Sequence, residues 1–70
     1  MKTYSEKLTA LRKKKQKTQA EVAEDLDIAK SLMSMYETGA RNPSDANKIK
    51  LAAYYNTTVG ELFFSDETQA

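Results

Sequence analysis

Seventy residues make one compact domain and no more, and a chain this short leaves much of its apolar surface in water. It holds no cysteine and no histidine, which removes disulfides, ordinary zinc sites, thiol nucleophiles and imidazole acid-base pairs. These absences count against an enzyme and a metal site and leave self-association as the reinforcement to look for; helical spacing explains Leu32, Met33 and Tyr36 as core, so no cofactor or small-molecule ligand is indicated. The opening MKTYSEKLTALRKKK has no apolar stretch of signal-peptide type, and no run approaches the ~18 apolar residues of a membrane span. A reducing cytoplasm suits the lack of cysteine.

The net charge of +1 conceals an uneven distribution. Residues 1–20 carry Lys2, Lys7, Arg12, Lys13, Lys14, Lys15 and Lys17 against Glu6 alone, whereas residues 21–40 carry Glu21, Glu24, Asp25, Asp27 and Glu37 against Lys30. Such separation predicts a molecule with one anion-seeking side.

The first predicted helix opens at Thr3 with Glu6, where a hydroxyl accepts from an orphan backbone amide and an acid three residues on reaches back. Tyr4, Leu8 and Leu11 give it one buried stripe, and it runs to about Lys15. Thr18 with Glu21 opens a short second helix with Val22, Ala23 and Leu26 inward. Asp27 and Ile28 form a turn, and a third helix follows from about Ala29 to Thr38 with Met33, Tyr36 and Leu32 inward and Gly39 as its C-terminal cap. Arg41, Asn42 and Pro43 make a loop. Ser44 caps a fourth helix that offers Ile49, Leu51, Ala52 and Tyr55 for burial, and Thr58 with Glu61 begins a very short fifth helix carrying Val59, Leu62 and Phe63. No period-two run or hairpin dipeptide supports a strand. The predicted fold is all-α, with one domain over residues 1–65 and a short tail over residues 66–70.

Two helices of eight to ten residues with a three- to four-residue connection, as over residues 18–38, have the geometry that lets a second helix enter a major groove. The outward side chains of that helix are Lys30, Ser31, Ser34 and Met35. Here the chain resembles the phage repressor and Cro-type helix-turn-helix regulators, the XRE family. The resemblance is carried by Leu8, Leu11 and Arg12, by Thr18-Gln19 and Glu21-Val22-Ala23, by Met33, Tyr36, Glu37 and Gly39, and by Asn42-Pro43-Ser44, Leu51-Ala52 and Glu61-Leu62-Phe63.

That resemblance implies a five-helix lambda-repressor-like domain of bacterial, phage or plasmid origin that binds double-stranded DNA. Carried over residue by residue, it puts Lys30, Ser31, Ser34 and Met35 at base edges and Thr18, Gln19, Thr38, Arg41 and Asn42 at phosphates. Lysine suits guanine O6 and N7, and Met35 offers an apolar surface to a thymine methyl. Asp27 stands where the family often has glycine, and Ala29 replaces the usual hydroxyl cap, a loss of about 1 kcal/mol unless Asp27 substitutes. Lys17, Asp45 and Lys48 stand where apolar residues are common, and Lys17 can lay its stem over the core with its charge in water.

Several of these features have a second reading. The basic run from Arg12 to Lys17 is either a solvated helix end or a source of long-range attraction to DNA. Arg12 is better read as pairing with Glu37 or Glu21 to hold the helices in register than as a phosphate ligand. Tyr54, Val59, Leu62, Phe63 and Phe64 form an apolar cluster, part of which closes the core while the rest is a candidate two-fold interface. The implied role is a transcriptional regulator, a repressor in the first instance, acting as a homodimer on a near-palindromic operator. The alternatives are an antitoxin that also controls its own operon, and an interaction module with the same fold and no strong DNA binding.

Overall fold

The computed structural model describes residues 3–64, so the expected tail over residues 66–70 lies outside the described residues. The element order is α1(Tyr4–Lys14), α2(Gln19–Leu26), α3(Lys30–Thr38), α4(Asp45–Tyr54) and a single wide turn of π-type winding, α5(Gly60–Phe64). No strand occurs among the described residues.

Each predicted hydroxyl start does the work assigned to it. Oγ1 of Thr3 and of Thr18 accepts from the backbone N–H of Glu6 at 3.4 Å and Glu21 at 3.1 Å, and both carboxylates accept back from the threonine N–H, completing two capping boxes. Oγ of Ser44 accepts from Asn47 N–H at 3.2 Å, and Oγ1 of Thr58 from Glu61 N–H at 3.0 Å.

The helix ends share one device. The chain turns left-handed at Gln16, Asp27, Gly39 and Asn56, with φ of 60, 59, 80 and 59°. Each turn is closed by a backbone bond spanning five residues: Lys17 N–H to Arg12 O at 3.3 Å, Ile28 to Ala23 at 2.9 Å, Ala40 to Met35 at 3.0 Å and Thr57 to Ala52 at 2.9 Å. This is the Schellman closure, which satisfies carbonyls the last turn would otherwise leave open. Only one of the four is a glycine.

Leu8, Val22, Met33 and Leu51, one from each of the first four helices, are fully buried, and Tyr36, Ala23, Ala52, Tyr55, Leu26 and Leu62 complete the core. Full burial of one such aliphatic side chain contributes roughly 1.5–3 kcal/mol. Helix α3 packs against both α1 and α2, and α5 lies against α1. Ile49, expected inside, is instead 62 % exposed. It precedes Leu51 by two residues, about 200° around the helix, so the stripe formed by Leu51, Ala52 and Tyr55 turns it to the opposite side.

Polar clasps tie α4 to the other helices. Tyr54 Oη donates to Asp25 Oδ2 of α2 at 2.6 Å, and Lys50 Nζ donates to the carbonyl of Leu26 at 3.3 Å, a cation at a helix C-terminus. Asn47 Nδ2 donates to Tyr36 Oη of α3 at 2.8 Å.

Two measurements probe these devices. Gln16→Gly should raise the free energy of unfolding by about 1 kcal/mol, because an L side chain in the left-handed region is strained, and Gln16→Val should lower it; urea melts of the three proteins decide. Burial and the bond to Asp25 raise the Tyr54 hydroxyl from 10.0 to about 12. The folded state then holds its proton more tightly than the unfolded state, so this contribution is complete below pH 10 and is lost as pH climbs toward 12. Tyr54→Phe should flatten that part of an alkaline stability profile.

Candidate nucleic-acid interface

Residues 27–29 are the whole connection between α2 and α3. Asp27 turns the chain in the left-handed region, a conformation that Asp adopts more readily than most residues. Ala29 then sits at the N-cap of α3 with no side-chain cap bond. The substitution by Asp27 that would compensate for Ala29 is therefore absent.

On α3, Lys30 and Ser31 are exposed and Ser34 and Met35 are half-buried. Their spacing of i, i+1, i+4 and i+5 puts all four on one side of the helix, opposite to buried Met33 and Tyr36. An α-helix is about as wide as the major groove, so this edge is what such a helix presents to bases. The N-terminus of α2 and the loop after α3 lie to either side of it in the chain. Thr18 is exposed and committed to its capping box. Thr38, Arg41 and Asn42 are exposed; Thr38 Oγ1 donates back to the Met35 carbonyl at 3.2 Å. The Arg41 carbonyl accepts from Tyr4 Oη at 2.9 Å, which fastens this loop to α1.

Between these parts lies the polar cluster that holds them in place. Glu37, in the last turn of α3, has a side chain only 3 % exposed. Its Oε2 accepts from Arg12 Nε at 2.8 Å, and its Oε1 accepts from Gln19 Nε2 at 3.0 Å and from Thr9 Oγ1 at 3.2 Å. Thr9 has one hydroxyl proton, shared between Glu37 and the Ser5 carbonyl at 3.0 Å. Arg12 also donates from Nη1 to the Lys17 carbonyl at 2.9 Å, just before the α2 cap. The bond to Glu37 raises the Arg12 pKa above its ordinary value, with burial opposing. The Tyr55 hydroxyl, buried close to this cluster, is raised by burial first and by the Glu37 charge second.

The pairing of Arg12 with Glu37 is the structural role read from the sequence. The bond from Gln19 to Glu37 has no signal in the sequence, because a helix-start glutamine and a helix-end glutamate separated by eighteen residues show no periodic relation.

The expected two-fold surface is only partly available. Leu62 is 2 % exposed and belongs to the core, which removes it from that set: in the wide α5 turn it is the side chain pointing at Leu8 and Leu51's cluster. Tyr54, Val59 and Phe63 are half-buried and Phe64 is 70 % exposed. Lys48 Nζ lies 5.7 Å from the Phe63 ring centroid and 4.8 Å from that of Phe64, a cation over two aromatic faces. Phe63 also meets the Tyr4 ring at 5.8 Å. Lys17, as its stem suggested, is half-buried, with Nζ 3.7 Å from Asp25 Oδ2.

Two short helices joined by three residues, the second carrying an exposed polar edge over a buried apolar one, define a helix-turn-helix. The helix-turn-helix family model matches residues 8–62, and the chain belongs to that family, in its phage repressor and Cro-type branch. It is 32 % identical over 65 residues to the cryptic phage CTXphi transcriptional repressor RstR of Vibrio cholerae, an alignment covering 93 % of this chain and 59 % of that protein. The chain thus spans about three-fifths of the relative's length. No solved structure matches it. Among the described residues no helix is long and apolar enough to cross a membrane.

The Arg12–Glu37 pair gives a direct test of how the site is held. Arg12→Met leaves a buried carboxylate without its cation and should cost about 3 kcal/mol or more, a large fraction of the stability of a domain this small. Thermal melts should show Arg12→Met/Glu37→Leu recovering much of that loss, since an apolar pair of similar volume replaces the ions; a double variant as unstable as the single one would show that the pair does not carry the effect.

Proposed function

We propose that this protein is a transcriptional repressor that binds a near-palindromic operator as a homodimer. The observation that carries the reading is the exposed edge of α3, with Lys30 and Ser31 in its first turn, on a helix whose other side is locked into the core. Lys30 donates to guanine O6 and N7, Ser31 and Ser34 bond neighbouring bases, and Met35 meets a thymine methyl. Thr18 and Gln19 before the reading helix, and Thr38, Arg41 and Asn42 after it, hold the phosphates on either side and fix the register.

Support for repression comes from the name of the relative, a phage transcriptional repressor. A repressor needs only to occupy DNA, which asks nothing of the chain beyond the interface and a pairing surface. Tyr54, Val59, Phe63 and Phe64 supply that surface. Pairing through it sets two reading helices about one turn of DNA apart.

Selection of bound duplexes from a random pool tests the proposal. A near-palindromic winner is expected, with affinity that falls steeply as salt rises because phosphate counterions are displaced. Lys30→Ala should cost about 1–3 kcal/mol and relax preference at one position of each half-site. Gln19→Ala should weaken binding to all sequences alike. Salt-independent binding, or a Lys30→Ala variant with unchanged preference, would sink the assignment.

A further inference from the structure

We infer that Glu37 is a positioning residue for the DNA backbone: it orients the Gln19 amide so that this side chain meets a phosphate as a hydrogen-bond donor. The inference rests on the placement of Gln19 at a phosphate proposed above.

A glutamine side chain has two ends, a carbonyl that accepts and an NH2 that donates twice. Either end can face outward, and a phosphate, which only accepts, rewards one of them. The structure contains the group that breaks this symmetry. Glu37 is a nearly fully buried carboxylate, and an ionised carboxylate accepts only. Its Oε1 takes one N–H of Gln19 Nε2 at 3.0 Å. Turning the amide over would bring its carbonyl against that oxygen, acceptor to acceptor, inside a poorly solvated cluster. The nitrogen is thereby kept at the Glu37 end, and its second N–H is the donor offered to a phosphate.

Glu37 is itself kept from turning. Arg12 Nε binds its Oε2 at 2.8 Å, and Arg12 Nη1 binds the Lys17 carbonyl at 2.9 Å. The same guanidinium therefore fixes the carboxylate that orients Gln19 and the main chain two residues before Gln19. The backbone and the side chain of the α2 start are held together against the last turn of α3. A phosphate contact at Gln19 is then made only when the reading helix is in register.

The test uses the full chain and the duplex selected for the unmodified protein. Binding is measured for the parent, Gln19→Ala, Glu37→Gln and the double variant, with a thermal melt of each. Gln19→Ala should bind roughly tenfold more weakly, the loss of a hydrogen bond to a charged group. Glu37→Gln should bind several-fold more weakly, since a glutamine at 37 accepts either end of the Gln19 amide, and it should add nothing once Gln19 is alanine. Additive losses in the double variant, or a Glu37→Gln protein that binds like the parent, overturn the inference. Should Glu37→Gln fail to fold, the Gln19 side-chain amide of the unmodified protein is followed by NMR. The proton bonded to Glu37 should persist on duplex addition while its partner shifts, and loss of the Glu37-bonded proton overturns the inference. If Gln19→Ala binds like the parent while Lys30→Ala still relaxes preference, the phosphate role of Gln19 falls and DNA reading stands; a parent that binds no duplex removes both.

Discussion

The buried contact between Arg12 and Glu37 is the constraint on which the arrangement of the first three helices turns. Hydrophobic packing is non-directional, so Leu8, Val22, Met33 and Leu51 bring the helices together and turn the Met33 and Tyr36 side of α3 inward, but they set its rotation only coarsely. A carboxylate 3 % exposed settles it, because it must be met by donors or leave an uncompensated charge. Those donors come from two other helices, Arg12 and Thr9 from α1 and Gln19 from α2. A buried ion pair adds little net stability over an apolar pair of the same shape. Its contribution here is to orientation, and orientation is what a reading helix requires.

The two ends of α3 are held very differently as a result. Its last turn carries Glu37, the Gly39 closure and the Tyr4 bond to the loop at Arg41. Its first turn begins at Ala29 with no side-chain cap, after a turn that depends on left-handed Asp27. The helix is thus anchored at its far end and open at the end that carries Lys30 and Ser31. A missing cap costs helix stability. It also leaves the first-turn N–H groups without a competing side-chain acceptor beside the residues assigned to bases.

Legibility in the sequence followed the range of the interactions. The helix starts were readable because a capping box is complete within four residues, and all four hydroxyl starts at Thr3, Thr18, Ser44 and Thr58 are present. The inward stripe of Met33 and Tyr36 was readable because 3.6-residue periodicity is local. Helix ends were harder: Gly39 announces a left-handed residue, whereas Gln16 and Asn56 adopt the same conformation with little or no compositional signal. Ile49 misled because apolar character alone assigned it inward, although its phase against Leu51 and Tyr55 points the other way. The Gln19 bond, and which member of the C-terminal apolar cluster closes the core, were out of reach, since both depend on how separate helices meet.

The basic run that dominates the N-terminal charge shows why sequence charge does not translate directly into an anion-binding face. Lys17 lies beside Asp25, Lys15 Nζ sits 4.9 Å over the Tyr54 ring, and Lys7 Nζ donates to the Glu61 carbonyl at 3.1 Å. These cations serve the fold, and each is directed toward α2, α4 or α5 instead of the α3 edge. Under the proposed assignment the phosphate contacts fall to Arg41 and to polar side chains, Thr18 and Gln19 at the α2 start among them. Each neutralised phosphate contributes a roughly constant increment to affinity, so under that assignment a single copy would bind DNA weakly. Linking a second copy makes the second set of contacts nearly intramolecular and multiplies the affinities. That is the physical reason for proposing the Phe63 and Phe64 surface as a pairing surface: a homodimer would present the same edge twice.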